Sequence, residues 1–302
     1  MDFNLNSRNQ SVQFSLLKDI ELVIKREDEI HSYISGNKFR KLKYNLIAAK
    51  EQSLNTLLTF GGAYSNHIAA TASAGATFGF KTIGIIRGEE LVNKIEANPT
   101  LSFAKNCGMH FKFVSRGLYR EKESSEFIDS LKKEFGDFYL IPEGGTNTLA
   151  IKGCEEILTE EDKSFDYICT SVGTGGTISG TINSAENHQK IIGFSALKGD
   201  FLNDEITRWT TKKNWELKTN YHFGGYGKTN TELITLINKF KKETNVPLDP
   251  IYTGKMLYGI VDMVKNKAFK KGSKLLVVHT GGLQGIEGMN KVLKQKNYLQ
   301  LV

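Results

Sequence analysis

The chain has 302 residues, 39% of them hydrophobic and 24% charged, with a formal net charge of +7. Those values suit a soluble globular protein of one large or two modest domains, and no apolar run reaches the ~20 residues of a membrane span. The lysines are scattered and not interleaved with aromatics, which argues against nucleic-acid binding. The three cysteines show no C-x-x-C pairing and the six histidines no metal spacing, which argues against a disulfide framework and a zinc cluster. Residues 1–6 lack a basic-then-apolar leader, so a cytoplasmic location is expected.

In chain order, Lys38–Gln52 places Phe39, Leu42, Leu46 and Ile47 on one face and reads as a helix. Asn55–Phe60 reads as a strand, followed by Gly61-Gly62 and a small-residue helix over Ile68–Ala76. Further strands are expected at Lys81–Ile86, His110–Val114, Phe138–Ile141, Tyr167–Ser171, Ile191–Phe194 and Lys274–His279. Thr229–Glu243 carries Leu233, Leu236, Ile237 and Phe240 at helical spacing. Alternating strands and helices argue for an α/β protein with open, twisted, mostly parallel sheets covered by helices. Glycine pairs end the strands at Gly61-Gly62, Gly144-Gly145, Gly175-Gly176 and Gly281-Gly282. Ligands in open α/β sheets sit beyond the carboxyl ends of strands, so these ends are expected to converge on one crevice.

The segment Gly173-Thr174-Gly175-Gly176-Thr177 lies between an apolar strand and a helix start. It reads either as a dry glycine turn or as a phosphate cup, in which free N–H groups and the helix dipole face an anion. It lacks the lysine of a P-loop and the spacing of a dinucleotide loop. Lys38 opens a helix after Gly36-Asn37. It is either a solvated lysine beside Arg40, Lys41 and Lys43, or a desolvated amine able to form a Schiff base with an aldehyde cofactor. Lys41 and Lys43 are expected to point elsewhere. Ser65 and Asn66 are ordinary helix caps or donors for a substrate carboxylate at a positive helix end. Tyr252 is a core aromatic or a site residue, and Tyr226 sits in the glycine-rich loop Phe223–Gly227.

Together these segments resemble the pyridoxal-phosphate enzymes of the tryptophan-synthase β fold. Within that fold they are most similar to the D-cysteine desulfhydrase / 1-aminocyclopropane-1-carboxylate deaminase family. The motifs run in order: Val23–Asp28, Gly36-Asn37-Lys38-Phe39-Arg40-Lys41-Leu42, Ser65-Asn66-His67, Gly173–Thr177, Gly225-Tyr226-Gly227, Tyr252-Thr253-Gly254-Lys255 and His279–Gly282. The resemblance implies two α/β domains with pyridoxal 5'-phosphate in the cleft between them: a small one over residues 46–145, and a large one combining 1–45 with 146–302. It implies that Lys38 bonds the cofactor, Asn66 contacts its ring hydroxyl, Gly173, Thr174, Gly175, Gly176 and Thr177 hold its phosphate, and Thr253 and Thr280 lie near its ring nitrogen. It further implies that Ser65, Asn66 and His67 receive the substrate, and that Tyr226 and Tyr252 line the substrate side.

The family's deaminases usually carry glutamate at the position of Thr253 and glutamine at that of His67, so both positions follow the desulfhydrase pattern. His31-Ser32-Tyr33-Ile34 replaces the family's threonine- and glycine-rich approach to the lysine. The expected activity is a β-elimination lyase acting on a small amino acid, D-cysteine first. The alternatives are a deaminase of 1-aminocyclopropane-1-carboxylate and a non-catalytic binder of phosphate-bearing ligands. A homodimer is expected on the same resemblance, with no membrane or nucleic-acid partner.

Overall fold

Short β-branched and leucine-rich runs build two separate sheets in the computed structural model, which describes residue 3 and residues 5–302. The leader expectation falls in part on residues 1, 2 and 4, outside the described residues. The elements are β1 (Asn9–Val12), β2 (Glu21–Lys25), α1 (Asn37–Glu51), β3 (Thr56–Gly61), α2 (Asn66–Phe78), β4 (Lys81–Arg87) and α3 (Pro99–Asn106). There follow β5 (His110–Val114), α4 (Ser125–Phe135), β6 (Tyr139–Ile141), α5 (Thr148–Glu155), β7 (Tyr167–Val172), α6 (Gly176–Ser184) and β8 (Lys190–Ser195). The chain ends with α7 (Leu202–Trp209), β9 (Trp215–Lys218), α8 (Thr231–Thr244), α9 (Thr253–Lys265), β10 (Lys274–Val278) and α10 (Gly285–Gln295).

The six-stranded sheet has the order β1-β2-β10-β7-β8-β9, and the four-stranded sheet β5-β4-β3-β6. All pairings are parallel except β1 with β2. The α/β architecture expected from the alternating pattern is therefore the observed one. Central strands such as β7 and β10 are buried on both faces. Helices cover them, with Leu233, Ile237 and Phe240 of α8 and Met256 and Ile260 of α9 in one core cluster. Ile178 and Ile182 of α6 lie in a second cluster across the sheet.

Three strands escape the sequence reading. β1 is a polar four-residue edge, half-buried except for an exposed Ser11, and β9 is a half-buried four-residue edge, too short to set a period. β2 ends in Lys25, which looks like a surface residue but is fully buried against Asp162 at 2.7 Å. A buried ion pair hides a strand from any hydrophobicity pattern.

Two contacts set the start of α1, on which the site depends. Gly36 has φ +65°, and a side-chain Cβ there would stand 2.1 Å from the Thr280 carbonyl oxygen, so the loop after β10 passes directly against the helix entry. Arg40 of α1 donates both to Glu27 Oε2 and to Oε1 at 2.8 Å, and Glu27 follows β2. Both side chains are buried.

Candidate active site

The segments that follow the carboxyl ends of β3, β4, β6, β7, β8 and β10 line one cavity of about 740 Å³. The convergence expected from the glycine pairs is thus present in the fold. Lys38, Ser65, Asn66, His67, Gly173, Thr174, Gly175, Gly176, Thr177, Tyr226, Tyr252 and Thr280 all line this cavity. Thr253 does not. It is fully buried behind the wall, where its hydroxyl donates to Asp249 Oδ1 at 2.8 Å. Asp249 also accepts the backbone N–H groups of Ile251, Tyr252 and Thr253, so it caps the start of α9 with a satisfied carboxylate.

Lys38 stands on the first turn of α1, and its ammonium donates to Asn37 Oδ1 at 3.0 Å. Burial pushes its pKa down to about 7, helped by the charge of Lys41 and opposed by Cys154 and Asp249. Asn37 in turn donates to Thr177 Oγ1 at 2.7 Å, which ties the lysine turn to the glycine loop. That loop enters α6 with Gly175 in the left-handed region and with no side-chain cap. The first N–H groups of the helix therefore have no side-chain acceptor and face the cavity end of the strand.

Lys41 departs from expectation. Residues three apart on a helix share a face, so it follows Lys38 into the same cleft. Its ammonium donates to Gly144 O at 2.9 Å, Thr146 Oγ1 at 2.8 Å and Thr174 Oγ1 at 3.3 Å. Burial lowers its pKa to about 8. The signal was present in the spacing, but in a basic run it is indistinguishable from a solvated face. Lys43 does point away, to Glu156.

Ser65 caps α2 by accepting from Ile68 N, and it also lines the cavity. The two readings of this residue are compatible. Asn66 Oδ1 accepts from Gln284 at 2.9 Å, which joins α2 to the loop after β10. His67 is buried, and its Nε2 lies 2.8 Å from Thr59 Oγ1. Thr59 spends its own proton on Ile141 O, so His67 Nε2 carries the hydrogen and Nδ1 is a bare acceptor. Nδ1 has no partner among the described residues. Burial first, then Lys38 and Lys41, hold the His67 pKa well below its ordinary value.

Tyr226 and Tyr252 meet edge to face with ring centroids 6.1 Å apart. Burial raises the Tyr252 phenol pKa well above its ordinary value, and Tyr226 stands 45% exposed beside it. Thr280 Oγ1 lies 2.9 Å from Ser171 Oγ, so a pair of hydroxyls faces the cavity beyond β7 and β10. Arg87 also lines the cavity, with its guanidinium 5.7 Å from the Tyr119 ring, and sequence reasoning gave no hint of it.

Residues 10–281 match the family described as "Pyridoxal-phosphate dependent enzyme". The chain is 31% identical over 295 residues to the bifunctional D-cysteine desulfhydrase/1-aminocyclopropane-1-carboxylate deaminase, mitochondrial, of Arabidopsis thaliana, spanning 88% of this chain and 73% of that protein. It is 29% identical over 301 residues to the 1-aminocyclopropane-1-carboxylate deaminase of Rhizobium rhizogenes, with 89% of each covered. A solved structure of an ACC deaminase homologue superposes with a TM-score of 0.82 at 26% identity, over 97% of this chain and 94% of that one. The chain therefore belongs to the pyridoxal-phosphate dependent enzymes, in their group of 1-aminocyclopropane-1-carboxylate deaminases and D-cysteine desulfhydrases.

Proposed function

We propose that this enzyme is a lyase that eliminates the β-substituent of a small amino acid, with D-cysteine and water giving pyruvate, hydrogen sulfide and ammonia. The residues present fit pyridoxal 5'-phosphate. The uncapped start of α6 with Gly173–Thr177 offers donors for a phosphate, Lys41 adds a cation beside Thr174, and Lys38 offers an amine with a pKa of about 7 for the aldehyde. When bound, the cofactor supplies an electron sink for negative charge developing at the substrate α-carbon.

The chain's own residues do the rest. Lys38 Nζ would take the α-proton of the bound substrate, and a near-neutral pKa suits a base. Ser65 and the N-terminus of α2 orient the substrate carboxylate, with Asn66 held by Gln284. His67 presents a neutral acceptor, while Tyr226 and Tyr252 wall the substrate side.

One observation carries the choice of β-elimination. The hydroxyls of Ser171 and Thr280 lie 2.9 Å apart on the cavity wall, and position 253, expected near the ring nitrogen, is threonine and not glutamate. Without a carboxylate partner the nitrogen is held less strongly protonated and the ring is a weaker sink. That suffices to expel a thiol but disfavours opening a cyclopropane that lacks an α-proton. Deamination of 1-aminocyclopropane-1-carboxylate is the second reading, because the Arabidopsis relative is named for both activities. An assay of pyruvate against 2-oxobutanoate across D- and L-cysteine, D-serine and the cyclopropane amino acid tests the choice. Pyruvate from D-cysteine is expected, and a higher efficiency with the cyclopropane substrate overturns it.

We also propose the division into 46–145 and the remainder, supported by the strands of the four-stranded sheet all falling within Thr56–Ile141. A homodimer and a cytoplasmic location rest on the resemblance and on the sequence. Among the described residues, no helix is long and apolar enough to cross a membrane.

A further inference from the structure

One face of α9 meets a single loop along its length. Tyr252, Lys255, Tyr258 and Asp262 follow one another at three- and four-residue steps and so share a side of the helix. Each meets the segment 221–226. The Tyr252 ring meets Tyr226, Lys255 Nζ donates to the carbonyls of His222 and Gly225 at 2.9 Å each, Tyr258 packs edge-on to Phe223 at 4.8 Å, and Asp262 accepts from the Tyr221 hydroxyl at 2.7 Å.

The loop needs that support. Phe223, Gly224, Gly225 and Gly227 all have positive φ, and Phe223 at +55° is a bulky residue in the left-handed region. Its internal hydrogen bonds are few: Gly225 N to His222 O, Lys228 N to Gly225 O, and Gly224 N to the His222 ring. The two carbonyls that accept from Lys255 are the same two that close these turns, so each spends its second lone pair on the ammonium.

Lys255 itself is only 1% exposed and pairs with no carboxylate among the described residues. A buried cation with no carboxylate in contact is costly to keep, so its presence calls for a reason. Both of its acceptors belong to the loop that carries Tyr226 into the cleft. We propose that Lys255 is a positioning residue, which fixes the 222–227 loop so that Tyr226 stands against the substrate. This deepens the reading of Tyr226 as a substrate-side residue and rests on it. Withdrawing the ammonium frees two carbonyls of the loop and touches nothing at Lys38, so the effect should fall on substrate binding and spare the cofactor.

The test compares the holoenzyme with Lys255→Met, Lys255→Arg, Tyr226→Ala and the Lys255→Met/Tyr226→Ala double variant. Hydrogen exchange of peptides spanning 221–228 should quicken roughly tenfold in Lys255→Met and return toward wild type in Lys255→Arg, which keeps its donors. KM for the amino acid should rise roughly tenfold in Lys255→Met with kcat changed far less. The double variant should be no worse than Tyr226→Ala, because the lysine acts through the tyrosine. The visible cofactor band should persist in every variant. Unchanged exchange over 221–228 in Lys255→Met, or a loss that adds in full on the Tyr226→Ala background, overturns the proposal. If Lys255→Met fails to fold, Lys255→Gln, with one donor group, reads the same exchange. Exchange does not depend on which substrate is turned over, so failure of the proposed activity and failure of the positioning role give different results.

Discussion

The side-chain amide of Asn37 donates to Thr177 Oγ1 over 2.7 Å, joining residues 140 positions apart, while its oxygen accepts from Lys38. A single side chain thus sets the distance between the reactive amine and the glycine loop. Asn37→Ala should keep the fold, since the site is a cleft, but leave both partners free to drift. The dissociation constant for pyridoxal 5'-phosphate should rise roughly tenfold, the equivalent of one hydrogen bond in a partly buried site. Titration of the visible band against added cofactor measures it, and an unchanged constant would deny Asn37 this role.

The Glu27–Arg40 pair places α1 against β2 two residues beyond Lys38. Glu27→Ala strands a buried guanidinium, relieved only in part by Glu156 at 3.9 Å. Stability should fall by about 3–5 kcal/mol, the cost of breaking a buried pair from one side. Urea unfolding with an unchanged m-value checks this, and a loss below about 1 kcal/mol would show that Glu156 takes over.

Stability without cofactor should depend on pH in a defined direction. Burial holds Lys38 at about 7, and Lys41 and Lys255 at about 8, in the folded chain. Unfolded lysine titrates near ~10.4, so between pH 7 and ~8.5 the unfolded chain binds more protons and stability rises with pH. His67, held well below its usual value, contributes the same sign around pH ~6.5, where the unfolded imidazole loses its proton. Above pH ~8.5 the raised thiols of Cys154 and Cys169 oppose the trend, because their unfolded counterparts ionise first. The Tm of cofactor-free protein should therefore climb from pH 6 to about 8.5 and more slowly above it, and Lys38→Met should make the climb shallower. A Tm that falls across this window contradicts the burial of these amines.

His67 should be a neutral imidazole with its hydrogen on Nε2. Thr59 and Ile141 impose that tautomer through a chain of two 2.8 Å hydrogen bonds. Nitrogen-15 spectra of the histidine ring in cofactor-free protein should show an unprotonated Nδ1 from pH 8 down to 5.5. An imidazolium signal at pH 6 would mean that Nδ1 has found an acceptor not in this arrangement.

Much of the fold was legible because most of its strands are short apolar-rich runs bounded by turn residues. β3, β4, β5, β7 and β10 appear within a residue or two of their expected limits. The edges Asn9–Val12 and Trp215–Lys218 were not legible, since four residues are too few to set a period, whereas the edges His110–Val114 and Tyr139–Ile141 were read. Of the site, motif spacing reached Lys38, Ser65–His67 and Gly173–Thr177, all on the cavity wall. Thr253, expected near the ring nitrogen, does not line the cavity and donates its hydroxyl to Asp249. The motifs included Lys41 and Lys255 but gave neither a role, because a buried lysine that donates to carbonyls has no pattern in one dimension.

The central claim is that Lys38 bonds the cofactor and moves the α-proton. The direct measurement is the absorbance spectrum of Lys38→Ala purified with excess pyridoxal 5'-phosphate, alongside its turnover of D-cysteine. The visible band of the lysine-bound cofactor should be missing, turnover should fall by at least ~10³-fold, and circular dichroism should match wild type. The nearby Lys41 should not substitute, because its ammonium is spent on Gly144, Thr146 and Thr174. A Lys38→Ala protein that keeps the visible band would contradict the account and move the covalent role to Lys41.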